Sequence, residues 1–248
     1  MEQIKIIQKP TKEKPFAVIY KPKNLPSAPI SSQDTNNALS QAISIFPELL
    51  NVQGRKPIEY GLLHRLDTAT DGLIVIAATQ ETYNFLQEEQ KKGRFIKFYQ
   101  AQCNIIQQPI NSYLEGFPCF KSTFENNECL ITSYFRPYGK GSKEVRPVTA
   151  GSGNAALKKI GNKKEYTTEC TIMENKGDIC NVECKITEGF RHQVRCHLAW
   201  AGLPIIGDNI YNPDKKNAEN QLRFSATKVQ FEYPKGDLNS YEITFTWT

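Results

Sequence analysis

A polar run that passes straight into a buried strand limits most strongly what this chain can become. Gly61-Leu62-Leu63-His64-Arg65-Leu66-Asp67 leads through Thr68-Ala69-Thr70-Asp71-Gly72 into Leu73-Ile74-Val75-Ile76-Ala77. The Thr/Asp/Gly segment reads as a turn, and 73–78 as a buried strand, so a carboxylate is held at the edge of a sheet. Further strand signals lie at 16–20, 95–104, 128–135, 167–173, 179–187, 227–233 and 241–247. The first is ended by the prolines of Lys21-Pro22-Lys23-Asn24-Leu25-Pro26. Helical spacing is confined to 36–50, to 80–91 with Thr79 as N-cap and Gly93 just beyond, and to 193–201 before Gly202. Strands dominate and do not alternate regularly with helices. The expected class is therefore α+β, with a mixed, mainly antiparallel central sheet flanked by helices and loops.

No repeat or linker divides the 248 residues, so one domain is expected over 1–248. Residues 1–15 read as an N-terminal arm. Residues 136–165, rich in Gly, Ser, Asn and Lys, read as a long surface loop, either functional or an idle insertion. At 39% hydrophobic the chain can bury a core. Its 31 Lys and Arg against 26 Asp and Glu permit an anionic partner without demanding one. No apolar run approaches the roughly 18 residues of a membrane span. The start, Met1-Glu2-Gln3-Ile4-Lys5, has no signal-peptide core. The seven cysteines are scattered without paired spacing. Together these predict a cytoplasmic protein with reduced thiols and no membrane partner.

Two dense clusters carry the chemistry. The first is His64-Arg65-Leu66-Asp67. An Asp in such a place is usually a cap or turn residue, yet the neighbouring charges point to a surface that meets something charged. The second is Gly189-Phe190-Arg191-His192-Gln193-Val194-Arg195-Cys196-His197. Its donors suit phosphates and base edges, and a helix starting near His192 would add backbone N–H groups that favour anions. The plainer reading is a solvated helix start. His192 and His197 are five apart, on different helical faces, which excludes a paired metal site. Cys180 and Cys184 fit strand alternation better than zinc. Lys97 and Tyr99 share a strand face, either as core packing or as a cleft position. There is no phosphate-binding Gly-x-x-x-x-Gly-Lys loop and no Gly-x-Gly-x-x-Gly. Gly151-Ser152-Gly153 lacks the strand and helix of a nucleophile elbow.

These motifs, in this order, resemble the RluA-type pseudouridine synthases. His64-Arg65-Leu66-Asp67-Thr68-Ala69-Thr70-Asp71-Gly72-Leu73 is similar to the family's His-Arg-Leu-Asp-x-x-Thr-x-Gly-Leu. Lys21-Pro22-Lys23-Asn24-Leu25 matches Lys-Pro-x-Gly-Leu with Asn for Gly, and Lys97-Phe98-Tyr99-Gln100-Ala101 matches Lys-x-Tyr-x-Ala. The second cluster resembles Gly-Arg-Thr-His-Gln-Ile-Arg-x-His, and 202–211 resembles Gly-x-Pro-Ile-x-Gly-Asp-x-x-Tyr. Phe190 departs from the family's Arg after Gly, Ser225 stands for a His, and 105–165 follows the family poorly.

The resemblance implies a pseudouridine synthase catalytic fold, and the short stretch before Phe16 is expected to leave no room for a separate S4 domain. It implies conversion of uridine to pseudouridine within structured rRNA or tRNA, on a base flipped out of its helix. Asp67, Tyr99 and Arg195 would be catalytic. Asp67 would act as nucleophile or general base, Arg195 would pair with it, and Tyr99 would stack on the base. Arg65 would fill the vacated stack. Lys21, Arg191 and His192 would hold RNA backbone, with His64, Lys97 and Gln193 as further RNA contacts. No metal, nucleotide or redox cofactor is implied, and a monomer is expected. Targeting would come from Lys and Arg in 136–164. The alternative is a catalytically inactive RNA-binding protein of the same fold; a hydrolase pairing Asp67 with His64 is a remote third.

Overall fold

The computed structural model describes residues 2–106, 110–112, 114–161, 163–213 and 221–244. In chain order its strands are β1 (Lys5–Gln8), β2 (Phe16–Lys21), β3 (Asp71–Ala77), β4 (Ile96–Asn104) and β5 (Glu128–Tyr138). They continue with β6 (Glu144–Val148), β7 (Tyr166–Lys176), β8 (Ile179–Ile186), β9 (Phe224–Glu232) and β10 (Leu238–Glu242). The α-helices are α1 (Ala38–Ile45), α2 (Gln80–Lys91), the single turn α3 (Asn154–Leu157) and α4 (Gln193–Trp200). The described residues group into two compact units, 2–98 with 225–244, and those of 99–224. No helix of the described residues is long and apolar enough to cross a membrane.

In the first unit β1 pairs with β2, β2 with β3 and β9 with β10, all antiparallel, while β3 meets β9 in parallel at Asp71↔Ser225 and Gly72↔Ala226. This is the expected mixed, mainly antiparallel pattern. Every residue of β3 is buried, as its unbroken apolar run predicts. Its core gathers Phe16, Val75, Leu86, Phe95 and Phe231, with Phe95 and Phe231 stacked at 5.0 Å. The parallel pairing depends on Gly72. Its φ is +132°, and a Cβ there would lie 2.2 Å from the Ala226 carbonyl oxygen. The stretch expected as a free N-terminal arm contributes β1, whose residues alternate between exposed and half-buried as an edge strand requires.

In the second unit β5 pairs with β6 and β7, and β7 with β8, all antiparallel. The alternation at Cys180, Val182 and Cys184 places all three side chains inside. Register aligns Cys129, Cys170 and Cys184 in one row across three strands, and the Cys170 and Cys184 sulfurs lie 3.7 Å apart as free thiols. Every residue of α4 is buried. Its His197 is hydrogen-bonded by Ser133 (2.9 Å) and Thr168 (2.8 Å) and stacks on Phe135 at 4.9 Å.

The long loop expected over 136–165 is a correction. The region holds the end of β5, the paired strand β6, a 3-10 turn at 140–142 and α3. Pro137 and Pro147 hid the strands from the sequence pattern, but here they pair with Val145 and Phe135 on the β5/β6 ladder. The helix expected over 36–50 is α1 followed by a 3-10 turn at 47–51, because Pro47 cannot continue the ladder. The closing strand expected over 241–247 is β10, ending at Glu242, with 245–247 outside the described residues.

Candidate active site

The first unit builds a seat around Asp67 from both sides. Upstream, Ser27 accepts from the Leu66 amide (3.0 Å) and donates to the Leu66 carbonyl (2.8 Å). Downstream, the Thr70 amide donates to the Asp67 carbonyl at 3.0 Å, closing the turn before β3. Lys21 reaches the same turn from the end of β2. Its Nζ donates to the carbonyls of Pro22 (2.8 Å), Leu25 (2.8 Å) and Thr68 (3.3 Å). The Lys21 side chain is fully buried, so the RNA-backbone contact expected of it gives way to holding this turn. Burial pulls its pKa down from 10.5 to about 8, against the charges of Asp71 and Asp67, which raise it. The ammonium form therefore predominates near neutral pH. Asn24, standing for the family's Gly, has φ +61°, a conformation Asn tolerates better than other non-glycine residues.

Asp71 is the residue the sequence reading passed over. It is 1% exposed, with the Tyr20 hydroxyl donating to Oδ2 (2.8 Å) and the Ser225 hydroxyl to Oδ1 (2.6 Å). Lys23 Nζ lies 3.9 Å away. Burial first, and then this carboxylate, raise the pKa of Tyr20 and keep it a donor. Ser225, a departure from the family pattern, thus has a defined partner in this chain.

The remaining residues of this unit divide by exposure. Arg65 is exposed and pairs with Glu59 at 3.1 Å. His64 Nε2 accepts from the Val75 amide at 3.3 Å, and the ring packs edge-on against Phe95 at 5.6 Å. Burial, helped by Lys97, lowers its pKa to about 3, so His64 is neutral and belongs to the core of the turn. Lys97 is buried, its Nζ 6.0 Å from the Phe95 ring. His64 Nδ1 and Thr70 Oγ1 are buried with no hydrogen-bond partner. Such orphaned buried atoms are uncommon in folded proteins.

In the second unit Arg195 and Asp208 form a buried bidentate pair, Nε to Oδ2 and Nη2 to Oδ1, both 2.8 Å. Asp208 Oδ1 also accepts from the amides of Ile210 and Tyr211. The guanidinium lies 5.6 Å from the Tyr211 ring, and the Tyr211 hydroxyl meets His192 Nδ1 at 3.1 Å. The segment 202–211, which by sequence says only that the backbone bends, is thus the seat of Arg195. Tyr99 is buried and stacks on Phe224 at 5.2 Å and 11°.

Helix α4 begins where expected, with His192 at its N-cap in the left-handed region (φ 56°). Gln193 closes the entry. Its Oε1 accepts from the Phe190 amide, and its Nε2 donates to Thr167 O and Thr168 Oγ1. It is 2% exposed, so the RNA contact expected of Gln193 gives way to this structural task. Phe190 stacks on Phe135 at 5.0 Å and 5°, which accounts for an aromatic ring where the family carries Arg. Arg191 is exposed, and its Nη2 donates to the carbonyls of Ser142 and Glu144.

Of the residues the sequence singled out, His64, Arg65, Asp67, Lys21 and Lys97 fall in the first unit, and Tyr99, Arg191, His192, Gln193 and Arg195 in the second. Asp71, Asp208, Tyr20 and Ser225 were missed, because pairing over 13 or 154 residues leaves no local signal.

A profile of the family described as RNA pseudouridylate synthase matches residues 15–200. The tRNA pseudouridine(31) synthase of Saccharomyces cerevisiae is 25% identical over 226 residues, 91% of this chain and 51% of that protein. The ribosomal large subunit pseudouridine synthase D of Borreliella burgdorferi is 25% identical over 241 residues, 93% of this chain and 65% of that protein. The chain spans about half the length of the first curated relatives it matches. Human RNA pseudouridylate synthase domain containing 1 shares the fold, with a TM-score of 0.66 at 18% identity, covering 98% of this chain and 84% of that one. With the profile covering most of its length and its motifs in the family's order, the chain belongs to the RNA pseudouridylate synthase family.

Proposed function

We propose that this protein isomerises specific uridines to pseudouridine in structured RNA, ribosomal or transfer, with Asp67 as the reacting carboxylate. The observation that carries the reading is the family match over 15–200, which includes the Asp67 turn. In the reaction the bond from ribose C1′ to uracil N1 breaks and the detached ring turns. C5 then joins C1′, the C5 proton leaves to solvent, and N1 takes up a proton. Either role for Asp67, attack on the ribose or removal of a proton, needs an ionised carboxylate held in place. The clamps at Leu66, Thr68 and Asp67 O restrict the backbone on both sides of it, which is the preorganisation such a group requires.

In this reading Tyr99 stacks on the extruded base and Arg195 serves as the second catalytic residue. Arg65 fills the vacated stack, and Arg191 and His192 contact RNA backbone. The base must leave its helix to react, at an unstacking cost of a few kcal/mol. The reaction is an isomerisation and consumes no redox equivalent.

Tritium release from RNA carrying [5-³H]uridine tests the proposal. Wild type is expected to release tritium, and Asp67→Ala, with unchanged thermal unfolding, to release none above background. Equal release from both, or none from wild type, sinks it.

A further inference from the structure

The positive charge of this chain is concentrated in one short segment. Residues 136–164 hold eight Lys and Arg against one acidic residue, while the other 219 residues hold 23 against 25. The segment's net positive charge therefore exceeds that of the whole chain. It lies within 105–165, outside the motifs that carry the family resemblance.

The fold turns this segment into a built groove. Its cavity of about 470 Å³ is lined by Arg136, Pro137, Tyr138, Gly139, Ser142 and Lys159, all from the segment itself. The floor is fixed. The Arg136 guanidinium lies 4.9 Å from the Tyr138 ring, and that of Arg146 lies 4.2 Å from the same ring. Arg136 Nη2 donates to Gly116 O at 3.2 Å, and Arg146 Nε to Glu115 O at 2.8 Å. Gly116 has φ +81°, and a Cβ on it would come within 2.7 Å of Arg136 Nη2. The packing therefore presses this backbone against the arginine. Arg191, from the motif before α4, holds the turn at the groove's side through the Ser142 and Glu144 carbonyls.

Donors are left over in this groove. Arg136 Nε is buried with no hydrogen-bond partner. Among the described residues, Lys140, Lys143, Lys158 and Lys159 are exposed and enter no salt bridge. Arg146 is already neutralised by Glu144 at 2.7 Å, which separates a structural arginine from the free donors around it. The part-exposed Arg136 guanidinium and the Lys159 ammonium line one groove, beside the exposed Lys140 and Lys143 of the same segment, and such groups suit the non-bridging oxygens of a phosphodiester. A run of such groups suits a chain of phosphates better than one small anion.

We infer that the groove of Arg136, Ser142 and Lys159, with the neighbouring Lys140 and Lys143, is an accessory RNA-backbone site through which this chain engages substrate RNA. The inference rests on the reading of the protein as an RNA-modifying enzyme and adds where the strand is held. Contacts of this kind fix register and orientation and read no bases, so the site contributes affinity across sequences.

The test uses the full chain and a fluorescein-labelled, mixed-sequence, single-stranded RNA of about 20 nucleotides, a length beyond typical single-strand sites. Binding is measured by anisotropy over a series of KCl concentrations. The groove variant is Lys140→Gln/Lys143→Gln/Lys159→Gln, and the charge-matched control is Lys9→Gln/Lys12→Gln/Lys235→Gln, all exposed lysines outside the proposed catalytic machinery. The groove variant is expected to bind roughly tenfold more weakly at 0.1 M KCl, with the salt dependence shallower by about 2 for three lost contacts to a single strand. The control is expected to stay within about twofold of wild type. Arg136→Lys, which keeps the charge but not the planar fork, is expected to weaken binding by several-fold at unchanged salt slope. Equal losses in groove and control variants, or an unchanged groove variant beside a binding wild type, overturn the site. The tritium assay is read separately. A wild type that binds through the groove yet releases no tritium refutes the enzymatic reading and leaves the site standing.

Discussion

Two buried carboxylates carry the heaviest duties for single residues. Asp208 grips Arg195 through two 2.8 Å hydrogen bonds inside the second unit, so its removal takes away a buried bidentate ion pair. Asp208→Ala is expected to cost about 3–5 kcal/mol in urea unfolding, and the double change Arg195→Met/Asp208→Leu to cost clearly less, since it replaces the buried ion pair with apolar packing. A double variant less stable than Asp208→Ala would contradict this. Asp71 accepts two short hydrogen bonds and lies near the buried ammonium of Lys21. Asp71→Asn is expected to lose about 2–3 kcal/mol and Ser225→Ala about 1 kcal/mol, by the same measurement. Neither carboxylate could be recognised in the sequence. Asp71 reads as a turn residue and Asp208 as part of a bend, because their partners lie far along the chain. Asp67, Tyr99 and Arg195 stand out by motif order, and the structure adds the turn that holds the Asp67 backbone, the Phe224 ring against Tyr99 and the Asp208 carboxylate on Arg195. Lys21 and Gln193 illustrate the opposite case. Their motifs suggested RNA contacts, and burial turned them inward, since a donor surrounded by its own chain's carbonyls has no reason to face solvent.

For whole elements, local chemistry decided boundaries and long-range pairing decided existence. Thr79 accepts from the Thr82 amide and starts α2, and Gly93, at φ +72°, follows its end. Thr79→Ala is expected to cost about 1 kcal/mol, read as a lowered denaturant midpoint at unchanged slope. Gly72 sets the parallel contact of β3 with β9. Gly72→Ala meets both a forbidden φ and a backbone oxygen, and about 3 kcal/mol or more is expected to be lost in thermal unfolding. A loss below 1 kcal/mol would mean that β9 shifts freely. The strands β1 and β6 escaped the sequence reading. Each is short, polar on one side or broken by proline, and each gains its hydrogen bonds from a partner strand rather than from its own pattern.

Across the whole molecule, the two units share an acid sensitivity through one half-buried and one buried histidine. His64 in the first and His197 in the second are held neutral by burial, with folded pKa values near 3 against 6.5 for a free imidazole. Below pH 6.5 the unfolded chain binds protons that the folded chain refuses. Stability from these groups is therefore complete above pH 6.5 and lost as pH falls toward 3. The expected loss approaches about 1.4 kcal/mol per pH unit for the buried His197, with less from the half-buried His64, seen in urea unfolding as pH falls from 6.5 to 5, above the range where carboxylates dominate. His197→Gln is expected to lower stability at pH 7 and to flatten this dependence. A slope unchanged by that variant would assign the acid response to other groups.

The sequence by itself determined the family, the mixed strand-rich class, the helices α2 and α4 and the turn that carries Asp67 into β3. These depend on apolar periodicity, capping residues and motif order, which act over a few residues and survive in one dimension. The tertiary structure alone decided that Asp208 pairs with Arg195, which hydroxyls hold Asp71, that β6 exists, and that the basic stretch 136–164 forms a groove rather than a free loop. Those outcomes follow from burial. A charged group taken out of water must find a partner, and the nearest partner in space is rarely the nearest in sequence.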